Sequence, residues 1–305
     1  MALEQLVDCF NVAIGACDIA RGGTFTRSMS RQDIVSQGDA VPGDYAIDGG
    51  PVNIQVNLTA QDPLVVPTVL GLSFPAVVTA TGRLKNAATY RKHGVSHGVL
   101  TAASLDLVDL SPGTCSFNFQ NRAVAESDTL DDEAPTAVGS AAGLVSRNTT
   151  IRIVAATFTP KGGVAINVLG LSRVSWSAQA MVVPTTISPG SGTNFVDAVD
   201  IVGWRVSGTL TMLDTALTGQ LSAAQCLAGQ VRGDLAVRCR QSSYAEAAAP
   251  PTDQIVTFKY LKLKNPSEGL QTKSDGTGSL QFDALLRDGV TLKPIGELVT
   301  VADAE

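Results

Sequence analysis

Residues Pro51–Asp62, PVNIQVNLTAQD, decide how this chain is read. Val52, Ile54, Val56 and Leu58 alternate there with Asn53, Gln55, Asn57 and Thr59. A period of two over that length is the pattern of a strand with one face in a core and the other turned to water or to a partner. The stretch closes on Asp62 and runs into PLVVPTVLG. Asp62 suits the cap of a short helix and Pro63 its first position, with Pro67 limiting its length. The design returns at Trp204–Asp214, WRVSGTLTMLD, where Trp204, Val206, Gly208, Leu210 and Met212 alternate with Arg205, Ser207, Thr209 and Thr211. Asp214 is followed by TALTGQLSAAQCL, a better helix than its counterpart.

Two such strands far apart prompt a search for the rest of a repeat. The segment 17–27 matches 171–181, and 52–62 matches 204–214 at an offset of 152. Val77–Leu84 matches Leu235–Gln241, and Leu105-Asp106-Leu107 matches Leu261-Lys262-Leu263 at an offset of 156. GTCSFNF at 113–119 matches GTGSLQF at 276–282 at an offset of 163. The order is kept and the offset drifts slowly, as insertions in loops produce. The expected fold is therefore mainly β: two tandem β modules, each with one short α-helix, divided as 1–145 and 146–305. Residues 1–14 read as a short amphipathic helix or an arm. The segments 35–50, 85–94 and 240–253 read as loops, and the acidic run at 126–133 as a linker.

The chain has 305 residues, of which 44% are hydrophobic and 16% charged, with a net charge of -6. That length suits one large β domain or two ordinary ones, and the apolar content is enough for a core. Low charge points to a surface of Ser, Thr, Asn, Gln and Gly, or to one covered by other subunits. The negative balance argues against a binder that must neutralise phosphates. It lies in residues 1–150, with 9 Lys/Arg and 15 Asp/Glu, against 13 and 13 in the remainder. Five cysteines without a CxxC pair read as small buried thiols in a reducing compartment. The N-terminus lacks the basic stretch of a signal peptide, and no apolar run reaches the ~20 residues of a membrane span.

Motifs for chemistry are sparse. His93 and His97 have the spacing of a helical metal pair, but Gly94 and Val95 spoil the helix and no HExxH pattern exists, so they read as loop histidines. Asp39, Asp44 and Asp48 lack the spacing of a calcium loop. The carboxylates Asp106 and Asp109, or Asp131 and Asp132, read as solvated surface. The stripe Lys259, Lys262, Lys264 with Tyr260 suits an edge that deters unwanted pairing or meets an acidic neighbour. No P-loop, dinucleotide fingerprint or nucleophile elbow occurs. The expectation is a protein without catalytic, cofactor or metal residues.

The strands ending in Asp62 and Asp214, the short helix after each, and the GTxSxxF strands with Phe119 and Phe282 resemble the tail-tube proteins of long-tailed bacteriophages and injection machines, over ~17–123 and ~171–297. That resemblance implies β-sandwich or barrel modules that pair side by side, six to a ring, so that a duplicated chain makes a trimer with pseudo-sixfold symmetry. Stacked rings would form a hollow conduit in the virion tail, assembled in the host cytoplasm. The implied partners are further copies of the chain, a tape-measure and a terminator protein, and DNA that passes without specific binding. Asn53, Gln55, Asn57, Thr59, Arg205, Ser207, Thr209 and Thr211 are the candidate lumen-facing or inter-subunit residues. A tail terminator, neck or baseplate ring is the near alternative. A capsid or decoration protein need not be duplicated, a carbohydrate binder should show more exposed aromatics than the 5% present, and an enzyme would need a site among these residues.

Overall fold

The computed structural model describes residues 6–20, 23–29, 32–34, 44–46, 52–59, 65–84, 90–121, 129–132, 144–145, 149–187, 195–212, 231–243, 253–269, 277–284, 287–288, 291–292 and 294–303. The chain is mainly β. Its first part runs Leu6–Ile14 (β1), Cys17–Ala20 (β2), Gly23–Met29 (β3), Gln32–Ile34 (β4), Asp44–Ala46 (β5), Val52–Thr59 (β6), the helix Val65–Leu70 (α1), Ala76–Leu84 (β7), Tyr90–Val108 (β8), Thr114–Asn121 (β9), Thr129–Asp132 (β10) and Leu144–Val145 (β11). There follow Thr149–Pro160 (β12), Ile166–Asn167 (β13), Leu171–Ile187 (β14), Phe195–Met212 (β15), Arg232–Ser243 (β16), Asp253–Gly269 (β17), Thr277–Ala284 (β18), Arg287–Asp288 (β19), Thr291–Leu292 (β20), a 3-10 turn at Ile295–Glu297 and Val299–Asp303 (β21).

The alternation seen in the sequence is the alternation of burial. On β6, Ile54, Val56 and Leu58 are buried, and on β9 so are Cys115, Phe117 and Phe119, while Gln55 and Thr114 are exposed. The long strand β8 carries two sets of partners. Its first part has β7 along one edge and β10 along the other; its second part has β14 and β9 in the same respective places. Bulges at Ala76/Val78 and Leu100/Ala102 accompany the change of partners. Val12, Ile14, Val78 and Ala80 from one set share a single core with Ile54, Val56, Phe117 and Phe119 from the other, a sandwich-like arrangement. Burying such side chains is worth roughly 1.5–3 kcal/mol each relative to exposure.

Among the described residues, many ladder pairs of 6–132 (the first pairing set) have counterparts in 149–303 (the second pairing set). Between β7 and β8, Val78↔Val95, Ala80↔His93 and Arg83↔Tyr90 recur between β16 and β17 as Leu235↔Phe258, Val237↔Val256 and Arg240↔Asp253. Between β8 and β9, Gly98↔Asn121 and Ser104↔Ser116 recur between β17 and β18 as Leu261↔Ala284 and Ser267↔Ser279. Ile54↔Phe119 recurs as Gly208↔Phe282, and Arg27↔Ile54 as Trp176↔Gly208. Ile14↔Val78 recurs as Phe158↔Leu235, Ile14↔Cys17 as Phe158↔Ile166, and Thr129↔Val95 as Val299↔Phe258.

Several sequence expectations change. The ladders relate β6 to β15 by 154 residues (Ile54 to Gly208), not 152, an even slip that leaves every side chain on the expected face. Leu261-Lys262-Leu263 answers to Gly98-Val99-Leu100 rather than to Leu105-Asp106-Leu107, because a Leu-x-Leu pair fits any period-two strand and fixes no register. Of the two strands within 17–29, β3 rather than β2 is the counterpart of β14 in the ladders. The N-terminal helix or arm is instead strand β1 on the edge of β7. Within the acidic linker, Thr129–Asp132 forms a strand that sets Asp131 opposite His93 and Asp132 opposite Lys92. Tyr90–Gly94 belongs to β8, so both histidines lie in a strand and not in a loop. Asp44–Ala46, within the expected loop 35–50, pairs with Gln32–Ile34. Helix α1 buries Val65, Val66, Val69 and Leu70, with Pro67 in its first turn where a missing N–H costs least. The second expected helix lies outside the described residues.

Candidate functional surface

The outward faces of eight strands join into one wall. Working across the ladders, Thr26 lies beside Gln55, Gln55 beside Asn118, and Asn118 beside Ala102. Ser104 lies beside Ser177, Ser177 beside Ser207, and Ser207 beside Asp283, which faces Lys262. The order is β3-β6-β9-β8-β14-β15-β18-β17, so the wall crosses without interruption from the first pairing set to the second.

Asn53, Gln55 and Asn57 occupy the positions that Ser207, Thr209 and Thr211 hold in the second set, all on this wall. Arg205 extends the row and is exposed beside Gln179. Thr59 pairs with Thr114 at the end of β6. The sequence reading omitted the rows contributed by β3 (Thr24, Thr26, Ser28), β9 (Ser116, Asn118, Gln120) and β14 (Ser175, Ser177, Gln179). The β9 row was detectable, since it alternates with the inward Cys115, Phe117 and Phe119. The β3 row depended on register, which a short Thr/Ser run does not carry.

Neighbouring rows are tied by short polar links. Asn57 Nδ2 donates to Thr24 Oγ1 at 3.2 Å, Ser104 and Ser116 share a hydroxyl hydrogen bond of 2.7 Å, and Ser177 Oγ donates to the Ser207 carbonyl at 3.3 Å. Among the described residues of the wall, two ion pairs stand out. Arg173 Nε and Nη2 donate to the two carboxylate oxygens of Asp106 at 2.8 and 2.7 Å, across the β8–β14 junction. Its hydrogen bonds to Asp106, then the carboxylate charge, push the Arg173 guanidinium above its usual value. Lys264 Nζ donates to Asp283 Oδ2 at 2.6 Å. Among the described residues Arg205 and Lys262 lie on the wall outside these two pairs, both in the second set.

Between Thr26, Ser28, Asn53, Gln55, Thr101 and Asn118 the wall dips into a groove of about 320 Å³. Its lining offers hydroxyls and amides, with no carboxylate, imidazole, amine or thiol among the residues that form it. The buried thiols of Cys115 and Cys239 are both pushed up to about 12, chiefly by burial, which keeps them protonated at neutral pH. His97 Nδ1 shares a 2.8 Å hydrogen bond with Ser96 Oγ. Among the described residues no three His, Cys, Asp or Glu come together as a metal site, and no helix is long and apolar enough to cross a membrane. Among the described residues the wall is a broad, mainly uncharged-polar surface with few fixed charges. No protein-family model matches this chain, and no curated protein matches it.

Proposed function

We propose that the chain is two copies of one β module and that it works as a structural subunit assembling into rings. The reading taken is a tail-tube subunit of a long-tailed bacteriophage: three chains per ring, pseudo-sixfold, stacked into a conduit with the polar wall toward the lumen. One observation carries it. Many pairings of the first set have counterparts in the second, and the two sets are joined edge to edge through β8 and β14, so the polar wall runs over both, which supports the reading. A sheet edge that joins modules inside one chain can join them between chains. A wall of Ser, Thr, Asn and Gln suits the passage of a polyanion, because it offers few cations to hold phosphate.

Electron microscopy with mass measurement of the purified protein tests this reading. Rings of three chains with six repeating densities, alone or stacked, are expected. A monodisperse monomer at all accessible concentrations would overturn it. A single layer of rings that never stacks would move the assignment to a terminator, neck or baseplate ring.

A further inference from the structure

The junction between the two pairing sets defines a docking rule. Along β8, Ala102–Val108 pairs antiparallel with Arg173–Gln179 of β14, seven residue pairs including Ser104↔Ser177 and Leu105↔Trp176. In the repeated scheme β17 corresponds to β8, and β3 corresponds to β14. The edge of β14 used at this junction is the one opposite β15, and its counterpart on β3 is the edge opposite β6. The edge of β8 used is the one opposite β9, and its counterpart on β17 is the edge opposite β18 along Ser267–Gly269. Among the described ladders, β3 pairs only with β6, and Ser267–Gly269 of β17 only with β18.

We infer that these two edges belong to one another in different copies of the chain: β3 of one copy pairs antiparallel with β17 of the next. The register follows from the internal junction. Ser104↔Ser177 becomes Ser267↔Ser28, Leu105↔Trp176 becomes Glu268↔Arg27, and Asp106↔Ser175 becomes Gly269↔Thr26. The rule was taken from backbone pairing alone, yet it places a glutamate opposite an arginine, a favourable cross-strand pair. Pro266, which cannot donate to a ladder, falls in the bulge between Lys264 and Ser267, where the pairing is already broken. The contact is head-to-tail, so it continues from copy to copy and closes when the rotation per chain permits. It extends the wall by adding Thr26 and Ser28 of one copy beside Gly269 and Ser267 of another. This inference rests on the ring reading above and names the surface that closes the ring.

Cysteine crosslinking tests it. Directly opposed residues in an antiparallel pair bring their Cβ atoms near disulfide range. The double variant Ser28→Cys/Ser267→Cys should give covalent dimers and higher multiples under mild oxidation, and each single variant should not. The internal pair Ser104→Cys/Ser177→Cys calibrates the geometry by closing within a chain without change of mass. If the internal pair closes and the protein forms rings, but Ser28→Cys/Ser267→Cys yields no multiples, this edge pairing is wrong while the ring reading stands. If no oligomer forms, both fall. Charge exchange supplies a second measurement, since Arg27 also donates to the Gly94 carbonyl at 3.4 Å and its replacement can disturb folding. Glu268→Arg should raise the concentration needed for assembly about tenfold, and Arg27→Glu in the same chain should restore it. A double variant as impaired as Glu268→Arg alone would overturn the proposed register.

Discussion

The same layer of the core is filled in two different ways. In the first pairing set Ile54 lies between Arg27 of β3 and Phe119 of β9. In the second, Gly208 lies between Trp176 of β14 and Phe282 of β18. A Cβ at Gly208 would overlap the Phe282 ring and the Ser175 carbonyl oxygen, so no side chain fits where the first set holds isoleucine. Trp176 supplies bulk to that layer from the next strand and is only 1% exposed, where the first set has an arginine. Volume has moved sideways from the middle strand to its neighbour while the ladder stayed in place. A β scheme constrains the sum of volumes across a layer more tightly than the residue at any one position.

The sharpest way to break that comparison is to give the first set the glycine of the second. Ile54→Gly removes a fully buried side chain with no tryptophan beside it to fill the gap, and adds the cost of glycine in a strand. A loss of about 4 kcal/mol is expected, read as the shift in urea midpoint. A loss below about 1 kcal/mol would mean that the two layers are not packed as described. The reverse experiment, Gly208→Ala, forces a methyl group against Phe282 and a carbonyl oxygen. It should cost about 3 kcal/mol, more than the usual surface glycine replacement, and a neutral outcome would disprove the close approach.

These exchanges explain what the sequence showed and what it hid. Alternation of apolar and polar residues at 52–59, 114–119 and 204–212 revealed strands and their faces, because a two-residue period survives any change of side chain. Register did not survive. With Gly208 in the place of Ile54 and Trp176 in the place of Arg27, the identities that would fix the offset are absent, and the match of β6 to β15 slips by two residues. In sequence the strand at 129–132 resembles a linker because its aspartates suggest solvent; their place opposite His93 and Lys92 is a tertiary fact. The polar wall was half legible. The rows on β6 and β15 announce themselves by alternation, whereas their continuity through β8 and β14 depends on a junction between distant residues.

The two sets also differ in how they meet acid. Asp253 accepts hydrogen bonds from Arg240 Nε and Arg238 Nε, each at 2.7 Å, and the corresponding position in the first set is Tyr90. The hydrogen bond from Arg240 comes first, with Arg238 adding to it, and together they hold the Asp253 carboxyl below its usual range against the opposing effect of burial. A depressed folded-state value contributes stability above the unfolded value of about 4 and loses it as the pH falls through the folded one. Stability should therefore drop on acidification below about pH 4, and Asp253→Asn should lower stability at neutral pH while flattening this part of the acid dependence. Hydrogen exchange along β16 and β17, compared with β7 and β8, locates the effect. Equal loosening of both strand pairs on acidification would show that Asp253 is not its source.

The smallest effect is expected at the seam between the sets. Asp106 and Arg173 form a two-pronged pair across β8 and β14, but the arginine side chain is 52% exposed and the aspartate 27%. Water screens such a pair, and the seven-residue ladder beneath it is made by backbone groups that neither side chain supplies. Gly269 and Thr26 are opposed where Asp106 and Ser175 are, and Thr24 stands in place of Arg173, so the proposed seam between copies lacks this pair and has Arg27 opposite Glu268 instead. If the ladder is the common element of both seams, a double-mutant cycle with Asp106→Asn and Arg173→Gln should give a coupling of only about 0.5–1 kcal/mol, smaller still in high salt. A coupling near 3 kcal/mol would make the internal seam dependent on its ion pair and would remove the reason for expecting the same backbone pairing where that ion pair is missing.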